Sequence, residues 1–467
     1  MIDASFNKRI QLIVGEAGVV TDTADIETYV RDWRGNYTGK ASLVVRPATT
    51  REVAEVVELC AQTSTPIVPQ GGNTGMVGGG VPDNSGSAIV LSLTRMNKIR
   101  TIDLANNAMT VEAGCILAAV QQAALDNNRY FPLSLAAEGS CTIGGNLSTN
   151  AGGTAVLRYG NARDLVLGIE AVTAEGKVWN GLKALRKDNT GYDLKHLLMG
   201  AEGTLGIITA AVLKLFPKPQ RTCTALIAVP HPAAAVALLA AIQNAMGDRL
   251  TGFEMMSRLC LDLVIKHFPA TAEPFPLRRQ WQVLVELTDT MREVPLEDAL
   301  SVALEPAFAS GEAMNAIIAA SDSQSQSLWK IREHIPEAEK RQGKSVKHDI
   351  AVPISRIAEF IQRADIALGA EFPNAQVICF GHIGDGNLHY NLSFSDMPPS
   401  AEQARVANNI VYTLLDELAG SISAEHGLGQ MKRAEITKHK SSVELDMMRA
   451  IKSALDPKGI MNPGKVL

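Results

Sequence analysis

Residues 66–80 read PIVPQGGNTGMVGGG, a short apolar run that leads directly into a glycine-rich segment. Six of the ten residues 71–80 are glycine. A segment so poor in side chains exposes consecutive backbone N–H groups, which can wrap an anion such as a pyrophosphate. A flexible linker is the alternative, but linkers are mixtures of serine and glycine without a strand running into them. The stretch therefore predicts a phosphate-binding loop at the end of a strand.

The residues before this loop indicate alternating strands and helices. Residues 42–46 and 66–69 are predicted to be strands, and Thr50 is predicted to open a helix between them. Its apolar residues share one face at helical spacing, namely Val53, Val56, Val57 and Cys60. A strand–helix–strand order predicts a parallel pair of strands with a right-handed crossover.

Two further glycine-rich stretches follow, EGSCTIGGNLSTNAGG at 138–153 and GAEGTLG at 200–206. Three such loops in one domain suggest a large, flat ligand with polar edges, and a flavin dinucleotide fits this description. A Rossmann-type NAD site is not supported, because the sequence contains no GxGxxG fingerprint.

A second group of motifs carries three imidazoles and a carboxylate. GHIGDGNLHYN at 381–391 holds His382 and His389 around a tight turn, and SAEHG at 423–427 adds Glu425 and His426. Two histidines and one glutamate can bind a divalent metal with open positions, such as zinc, cobalt or manganese. The remaining imidazole would be a general base. Turn or core histidines, satisfied by the backbone, are the alternative.

Composition limits the classes of function. The 467 residues suggest two or three domains, with 46% hydrophobic and 20% charged residues. A formal net charge of −5, without a basic run, argues against nucleic acid as a partner. The six cysteines are dispersed, and the longest apolar segment, residues 233–242, is too short to span a membrane. The first residues do not resemble a signal peptide, so a cytoplasmic protein is expected.

The motifs, taken in order, resemble the D-2-hydroxyglutarate and D-lactate dehydrogenase family of the vanillyl-alcohol-oxidase/PCMH flavoprotein superfamily. The resemblance rests on PQGGNTG (69–75), GSCTIGGNLSTNAGG (139–153), RYGNARDLVLG (158–168), KDNTGYDLKHLLMGAEGTLGIIT (187–209), GHIGDGNLHYN (381–391) and AEHGLG (424–429). It implies an α+β fold with a PCMH-type FAD-binding domain at 1–218, a middle α+β substrate (cap) domain at 219–402, and a C-terminal helical segment at 403–467 that completes the active site.

The resemblance also implies which residues hold FAD. These are Pro69, Gly71, Gly72, Asn73, Thr74, Gly75, Gly139, Ser140, Gly144, Gly145, Asn146, Asn150, Gly152, Gly203, Ile208 and Asn462. Relatives with a covalent flavin often have histidine where Asn73 follows the glycine pair. The resemblance therefore predicts non-covalent FAD.

The same resemblance assigns the chemistry. His382, His389 and Glu425 are expected to bind the metal, and His426 is expected to take the substrate's hydroxyl proton. Adjacent residues on a strand would point apart, so Glu425 and His426 are expected on a loop. The predicted substrate contacts are Arg332, Lys347 and Asn391, with the two cations binding carboxylates. Pro336 replaces a threonine of some relatives, which leaves room for a related diacid.

D-2-hydroxyglutarate is the expected substrate, with D-lactate or D-malate as alternatives within the family. A metallohydrolase, or a flavoprotein subunit without catalysis, is an alternative of another class. The resemblance implies an electron acceptor such as an electron-transfer flavoprotein, a quinone or a cytochrome. It leaves the oligomeric state open, with a homodimer among the options.

Overall fold

The computed structural model describes residues 4–394 and 398–467, which form two compact units. The first unit contains the residues up to Ala151, Asn161–Pro217 and His426–Leu467. The second contains Gly152–Gly160 and Lys218–Glu425. The chain therefore leaves the first unit next to the predicted boundary at residue 218. The predicted segment 403–467 is divided between the two units, because its first helix packs on a helix of the second unit.

The first 217 residues form short strands and helices. They are α1 (Ala4–Val14), β1 (Val19–Val20), α2 (Thr23–Glu27), β2 (Leu43–Val45), α3 (Thr50–Thr63), β3 (Ile67–Gln70), β4 (Ile89–Ser92), β5 (Ile99–Asp103), β6 (Ala108–Glu112), α4 (Leu117–Asp126), β7 (Arg129–Tyr130), α5 (Ile143–Ser148), α6 (Val156–Tyr159), β8 (Val166–Val172), β9 (Val178–Gly181), α7 (Lys195–Leu198), β10 (Ile207–Lys214) and β11 (Phe216–Pro217).

The rest of the chain has longer elements. They are β12 (Arg221–Val229), α8 (Pro232–Met246), β13 (Leu250–Ser257), α9 (Arg258–His267), β14 (Trp281–Asp289), α10 (Leu296–Ser310), β15 (Asn315–Ile318), α11 (Asp322–Glu333), α12 (Ile335–Gln342), β16 (Ser345–Val346), β17 (Asp349–Ala351), α13 (Ile357–Glu371), β18 (Ala375–Gly381), β19 (Asn387–Phe394), α14 (Ala401–Glu417), α15 (Arg433–His439) and α16 (Ser442–Leu455).

The first unit begins with a small sheet in the order β1-β2-β4-β3. Helix α3 starts at the predicted Thr50, because the Thr49 side chain accepts a hydrogen bond from the Glu52 backbone N–H and caps the helix. The four residues of its predicted apolar face are fully buried. Strands β2 and β3 run parallel, as predicted, but β4 is inserted between them and pairs with both.

A second sheet of the first unit has the order β5-β6-β10-β8-β9 and is antiparallel. Its central strand β10 is buried over nearly its whole length. Strand β10 begins one residue past Gly206, so it directly follows the third glycine-rich stretch in the chain.

The second unit is built on an antiparallel sheet in the order β15-β12-β14-β13-β18-β19-β16, with β17 also paired to β19. The apolar segment at 233–242 lies within α8, whose Pro232 stands in the first turn, where its missing N–H costs nothing. None of the described helices is long and apolar enough to cross a bilayer.

The structure corrects one predicted helix. The sequence pattern over residues 323–341 favours a single helix, but α11 ends at Glu333 and α12 begins at Ile335, with His334 between them. Pro336 is the reason, because proline has no N–H to donate to the carbonyl four residues earlier. Its fixed φ suits the first turn of a new helix instead.

Candidate active site

A hairpin in the second unit positions the two predicted metal histidines. His382 follows β18 directly, and His389 lies on β19, where it pairs with Phe380 of β18. The turn between them depends on Gly386, whose φ is +89°. A Cβ at this position would lie 2.3 Å from the Val352 carbonyl oxygen. The glycine therefore lets the hairpin close tightly enough to bring the two imidazoles together.

Glu425 is held beside these histidines through Asp349. The Asp349 carboxylate accepts a hydrogen bond from the Glu425 backbone N–H at 3.0 Å, and Asp349 of β17 pairs with His389 of β19. One ligand atom each from His382, His389 and Glu425 lies within 4.8 Å of the others, with Nε2 of His382 3.7 Å from Oε1 of Glu425. Tetrahedral bonds of about 2.0–2.2 Å place ligand atoms roughly 3.5 Å apart, so these residues fit a zinc-sized ion.

Glu254 of β13, which was not predicted from the sequence, contacts both His382 and Arg332. Its fully buried carboxylate accepts hydrogen bonds from Nδ1 of His382 and from Nε of Arg332, the latter at 2.7 Å. Burial alone would raise the pKa of Glu254, but the charges of His382 and Arg332 lower it to about 2. A glutamate inside an otherwise apolar strand is the signal that could have identified it, since buried acids need partners.

The two cations that are predicted to bind the substrate each have a carboxylate partner within the protein. Arg332 contacts Glu254, and Nζ of Lys347 donates to Oε2 of Glu339 at 3.0 Å. Glu339 is 1% exposed. The sequence could not reveal these two ion pairs, because each carboxylate lies on a different element from its cation. Glu254 lies on β13 and Arg332 on α11, while Glu339 lies on α12 and Lys347 directly follows β16.

Asn391 lies on β19 two residues after His389. Its side chain is used within the protein. Nδ2 donates to Glu339 at 3.1 Å, and Oδ1 accepts from the His348 backbone N–H at 3.0 Å. This amide therefore fixes Glu339, and with it the cation Lys347.

The glycine-rich loops of the first unit pack against each other at backbone distance. A Cβ at Gly71 would lie 2.2 Å from Oγ1 of Thr142, and a Cβ at Gly72 would lie 2.0 Å from the Ser140 carbonyl oxygen. Only glycine permits this approach. The loop after β3 and the loop before α5 thus form one cradle.

Asn462 ties the third loop to this cradle. Its Nδ2 donates to the carbonyl oxygens of Gly79, at 3.0 Å, and Glu202, at 2.7 Å. Gly203 has a φ of +72°, and a Cβ there would meet the Pro69 ring at 2.9 Å. Oδ1 of Asn462 is buried, and no described residue hydrogen-bonds to it. A buried acceptor beside a loop-lined cradle fits a ligand with N–H donors, as a flavin ring has.

The other residues predicted to hold FAD have mixed surroundings. Gly144 is needed for packing, because a Cβ there would lie 2.7 Å from Cβ of Ala113. Gly75 and Gly139 adjoin open space. Three residues donate hydrogen bonds: Asn73 Nδ2 to the Arg31 backbone oxygen (2.8 Å), the Gly145 N–H to Thr142 Oγ1 (3.4 Å) and Asn146 Nδ2 to Cys141 Sγ (3.5 Å). Asn150 Oδ1 accepts a hydrogen bond from the Arg163 N–H (3.0 Å). Ile208 is buried on β10, and Gly152 belongs to the second unit. Thr74 lies in the same loop as Asn73.

His426 begins a loop that Glu202 holds in place. The Glu202 carboxylate accepts from the backbone N–H groups of Leu428, at 2.8 Å, and Gly429, at 2.9 Å. Gly427 has a φ of +74°, and a Cβ there would lie 2.5 Å from Oε1 of Glu202. Glu425 and His426 therefore lie on a loop, as predicted. Glu202 was not predicted to hold this loop, although it lies within the third glycine-rich stretch at 200–206.

Comparisons with known proteins identify the family of the chain. The model of the FAD-linked oxidase C-terminal domain matches residues 218–466, and an FAD-binding domain model matches residues 41–181. The mitochondrial D-2-hydroxyglutarate dehydrogenase of Arabidopsis thaliana is 40% identical over 100% of this chain and 81% of its own. The D-2-hydroxyglutarate dehydrogenase of Xanthomonas citri pv. viticola is 36% identical over 98% of this chain and 96% of its own.

Solved structures share the fold. p-Cresol methylhydroxylase with bound substrate has a TM-score of 0.74 and 18% identity, covering 99% of this chain and 97% of that one. Alkyldihydroxyacetonephosphate synthase has a TM-score of 0.75 and 17% identity, covering 99% and 84%. The predicted α+β fold with a PCMH-type FAD-binding domain is thereby confirmed.

Proposed function

Because the chain belongs to the D-2-hydroxyglutarate dehydrogenase family of FAD-linked oxidases, and is an FAD-dependent D-2-hydroxyacid dehydrogenase, we propose that it oxidises D-2-hydroxyglutarate to 2-oxoglutarate. The observation that carries this substrate is that Arg332 and Lys347 belong to the same unit as the His382/His389/Glu425 cluster. A diacid with a hydroxyl group would offer carboxylates to the two cations and its hydroxyl group to a metal in the cluster.

His382, His389 and Glu425 would hold a divalent metal, for which zinc is the first candidate. Such an ion, when bound, acts as a Lewis acid that lowers the pKa of the substrate's hydroxyl group. Burial opposes charge on His382, but Glu254 raises its pKa to about 9, so a metal that binds Nε2 would displace a proton from this ring. Glu425 supplies the negative charge of the cluster, which favours a cation there.

His426 follows Glu425 directly in the chain, and it would accept the hydroxyl proton as the carbonyl forms. An imidazole suits this task because its pKa lies near working pH. FAD, when bound, accepts the hydride that leaves C2 of the substrate. The proton on His426 and the two electrons of the hydride together account for the oxidation of the alcohol to the 2-oxo acid.

Arg332 and Lys347 would bind the substrate's carboxylates while each keeps its protein partner. A guanidinium has five N–H donors, and only Nε is used by Glu254. An ammonium has three donors, one of which points to Glu339. Pre-pairing with Glu254 and Glu339 fixes both side chains before substrate arrives, which reduces the entropy lost on binding.

Replacing Lys347 with alanine is expected to lower kcat/KM more for D-2-hydroxyglutarate than for D-lactate. Losing one charged hydrogen bond costs about 1.5–3 kcal/mol, so the ratio of the two kcat/KM values should fall roughly tenfold to a hundredfold. The disturbance of Glu339 is common to both substrates and cancels in the ratio. Steady-state kinetics with both acids measure it. Equal losses would favour a D-lactate-type enzyme.

The flavin is expected to be held without a covalent bond. The loop after β3 carries Asn73, whose amide donates to backbone oxygens of Arg31 and Thr28, where relatives with a covalent flavin often have histidine. Acid precipitation of the purified protein should release yellow FAD into the supernatant. Colour that stays in the pellet would contradict non-covalent binding.

The choice among diacids requires a direct comparison. Anaerobic bleaching of the flavin absorbance should be fastest with D-2-hydroxyglutarate among a set that includes D-malate, D-lactate and their L-enantiomers. Faster bleaching with D-malate would move the assignment to the shorter diacid. The electron acceptor, which we propose to be an electron-transfer flavoprotein or a quinone, is tested by reoxidation of the bleached enzyme.

A further inference from the structure

Glu254 is a buried side chain that contacts two different parts of the proposed site at once. Each of its carboxylate oxygens has its own partner. Oε1 accepts from Nδ1 of His382, and Oε2 accepts from Nε of Arg332 at 2.7 Å. Glu254 is fully buried, so these two groups take the place of water around its charge.

The contact with Glu254 determines how His382 can bind a metal. Because Nδ1–H is donated to Glu254, Nε2 is the ring nitrogen available to bind a metal, and it lies 3.7 Å from Oε1 of Glu425. A carboxylate behind a metal-binding histidine fixes the tautomer and the ring orientation, and it raises the basicity of the imidazole.

The same carboxylate determines where Arg332 can place its donors. Its Nε is held by Glu254, and its guanidinium lies over the Phe380 ring, with Cζ 4.7 Å from the ring centroid. Two fixed contacts on one planar group leave little freedom of rotation. The Nη groups of Arg332 are thereby directed by Glu254 and Phe380 together.

We propose that Glu254 is a positioning residue that joins the metal ligand His382 to Arg332, the cation that binds the substrate; this inference rests on the proposed function. One carboxylate would then set both the affinity for the metal and the affinity for the substrate. Metal and substrate carboxylate would then be recognised by groups locked to the same side chain.

A glutamine cannot replace Glu254 in this role. The two partners, Nδ1–H of His382 and Nε–H of Arg332, both donate, and glutamine has one acceptor oxygen while its other terminal atom is a donor. If the glutamine accepts from Arg332, its amide N–H faces Nδ1 of His382 and favours the tautomer with the proton on Nε2. If it accepts from His382, its N–H opposes that of Arg332.

Glu286 provides a matched control. It lies on β14, which pairs with β13, and its Oε2 accepts one hydrogen bond, from Nε1 of Trp329 at 2.8 Å. Glutamine at this position can still accept that bond. Glu286→Gln therefore removes a similar acid from the neighbouring strand without removing a contact to His382 or Arg332.

The test uses the FAD-loaded full chain without substrate, with Zn²⁺ affinity measured by competition against a chromogenic chelator. Glu254→Gln should bind Zn²⁺ about tenfold to a hundredfold more weakly than the wild type, and its KM for D-2-hydroxyglutarate should rise after Zn²⁺ is restored to saturation. Glu286→Gln should match the wild type in both measurements. Unchanged Zn²⁺ affinity in a folded Glu254→Gln variant would overturn the inference.

A second variant covers the case in which Glu254→Gln does not fold. Glu254→Asp keeps the charge but is one methylene shorter, so it cannot reach both partners without strain, and its Zn²⁺ affinity or its KM should change. Wild-type values of both would overturn the inference. Failure of the proposed function is distinct: the wild type itself would then bind no Zn²⁺, or would bind it tightly and not oxidise D-2-hydroxyglutarate.

Discussion

The variant His389→Ala is expected to lose nearly all turnover, by about a thousandfold or more in kcat/KM, and to keep its flavin. Lewis-acid activation contributes several kcal/mol, and each 1.4 kcal/mol is about a factor of ten in rate. His389 belongs to the second unit, whereas the loops joined by Asn462 belong to the first. Removal of the metal with a chelator should have the same effect, with the flavin absorbance spectrum nearly unchanged.

The matched control for this variant is His267→Ala. His267 is a histidine of the same unit, at the end of α9, where Nε2 lies 3.2 Å from the Gln342 amide oxygen. Its loss should leave metal content and turnover as in the wild type. Full activity of metal-free His389→Ala would show that the proposed ligand set is wrong.

The variant His426→Ala is expected to lower kcat by about a hundredfold to ten-thousandfold, the usual contribution of a general base. The loss should be similar for D-2-hydroxyglutarate and D-lactate, because the base acts on the hydroxyl proton that both substrates share. Metal content and FAD content should stay at wild-type levels, since neither ligand set includes His426.

His439 gives the control for His426. It is a histidine of the first unit on α15, where Nε2 lies 3.7 Å from Oε2 of Glu435. His439→Ala should keep full kcat. A His426→Ala variant with wild-type kcat at every pH would contradict its role as the base, and a loss confined to one substrate would indicate substrate recognition instead.

Local patterns were sufficient to predict much of the fold. The apolar face of α3, its start at Thr50 and the strand that leads into the first glycine-rich loop were predicted from residue spacing and from capping and turn residues. These signals are local, since each depends on a few neighbouring residues. The order of strands in a sheet is not local, and the insertion of β4 between β2 and β3 could not be predicted from the residues of β2 and β3.

In the candidate site, too, local motifs were predicted and contacts between distant elements were not. The motifs at 381–391 and 424–429 identified the three side chains that the structure brings within ligand distance of each other. The buried acids Glu254 and Glu339, which hold Arg332 and Lys347, were missed because each lies on an element without a glycine-rich motif. Buried charge pairs are a property of the packed chain, and a cation in a sequence does not reveal its partner.

The return of the chain to the first unit has a consequence for the order in which the protein is made. Residues 460–462 extend the edge of β3: the Ile67 N–H donates to the Ile460 oxygen, and the Asn462 N–H donates to the Ile67 oxygen, both at 2.8 Å. The segment that pairs with β3 is therefore synthesised about 390 residues after β3 itself. During translation the edge of β3 lacks this partner and can pair wrongly with other strands. Loss of the segment from 460 onward should leave the second unit folded and the flavin cradle unfinished, so capture of FAD is expected to follow the synthesis of residues 460–462.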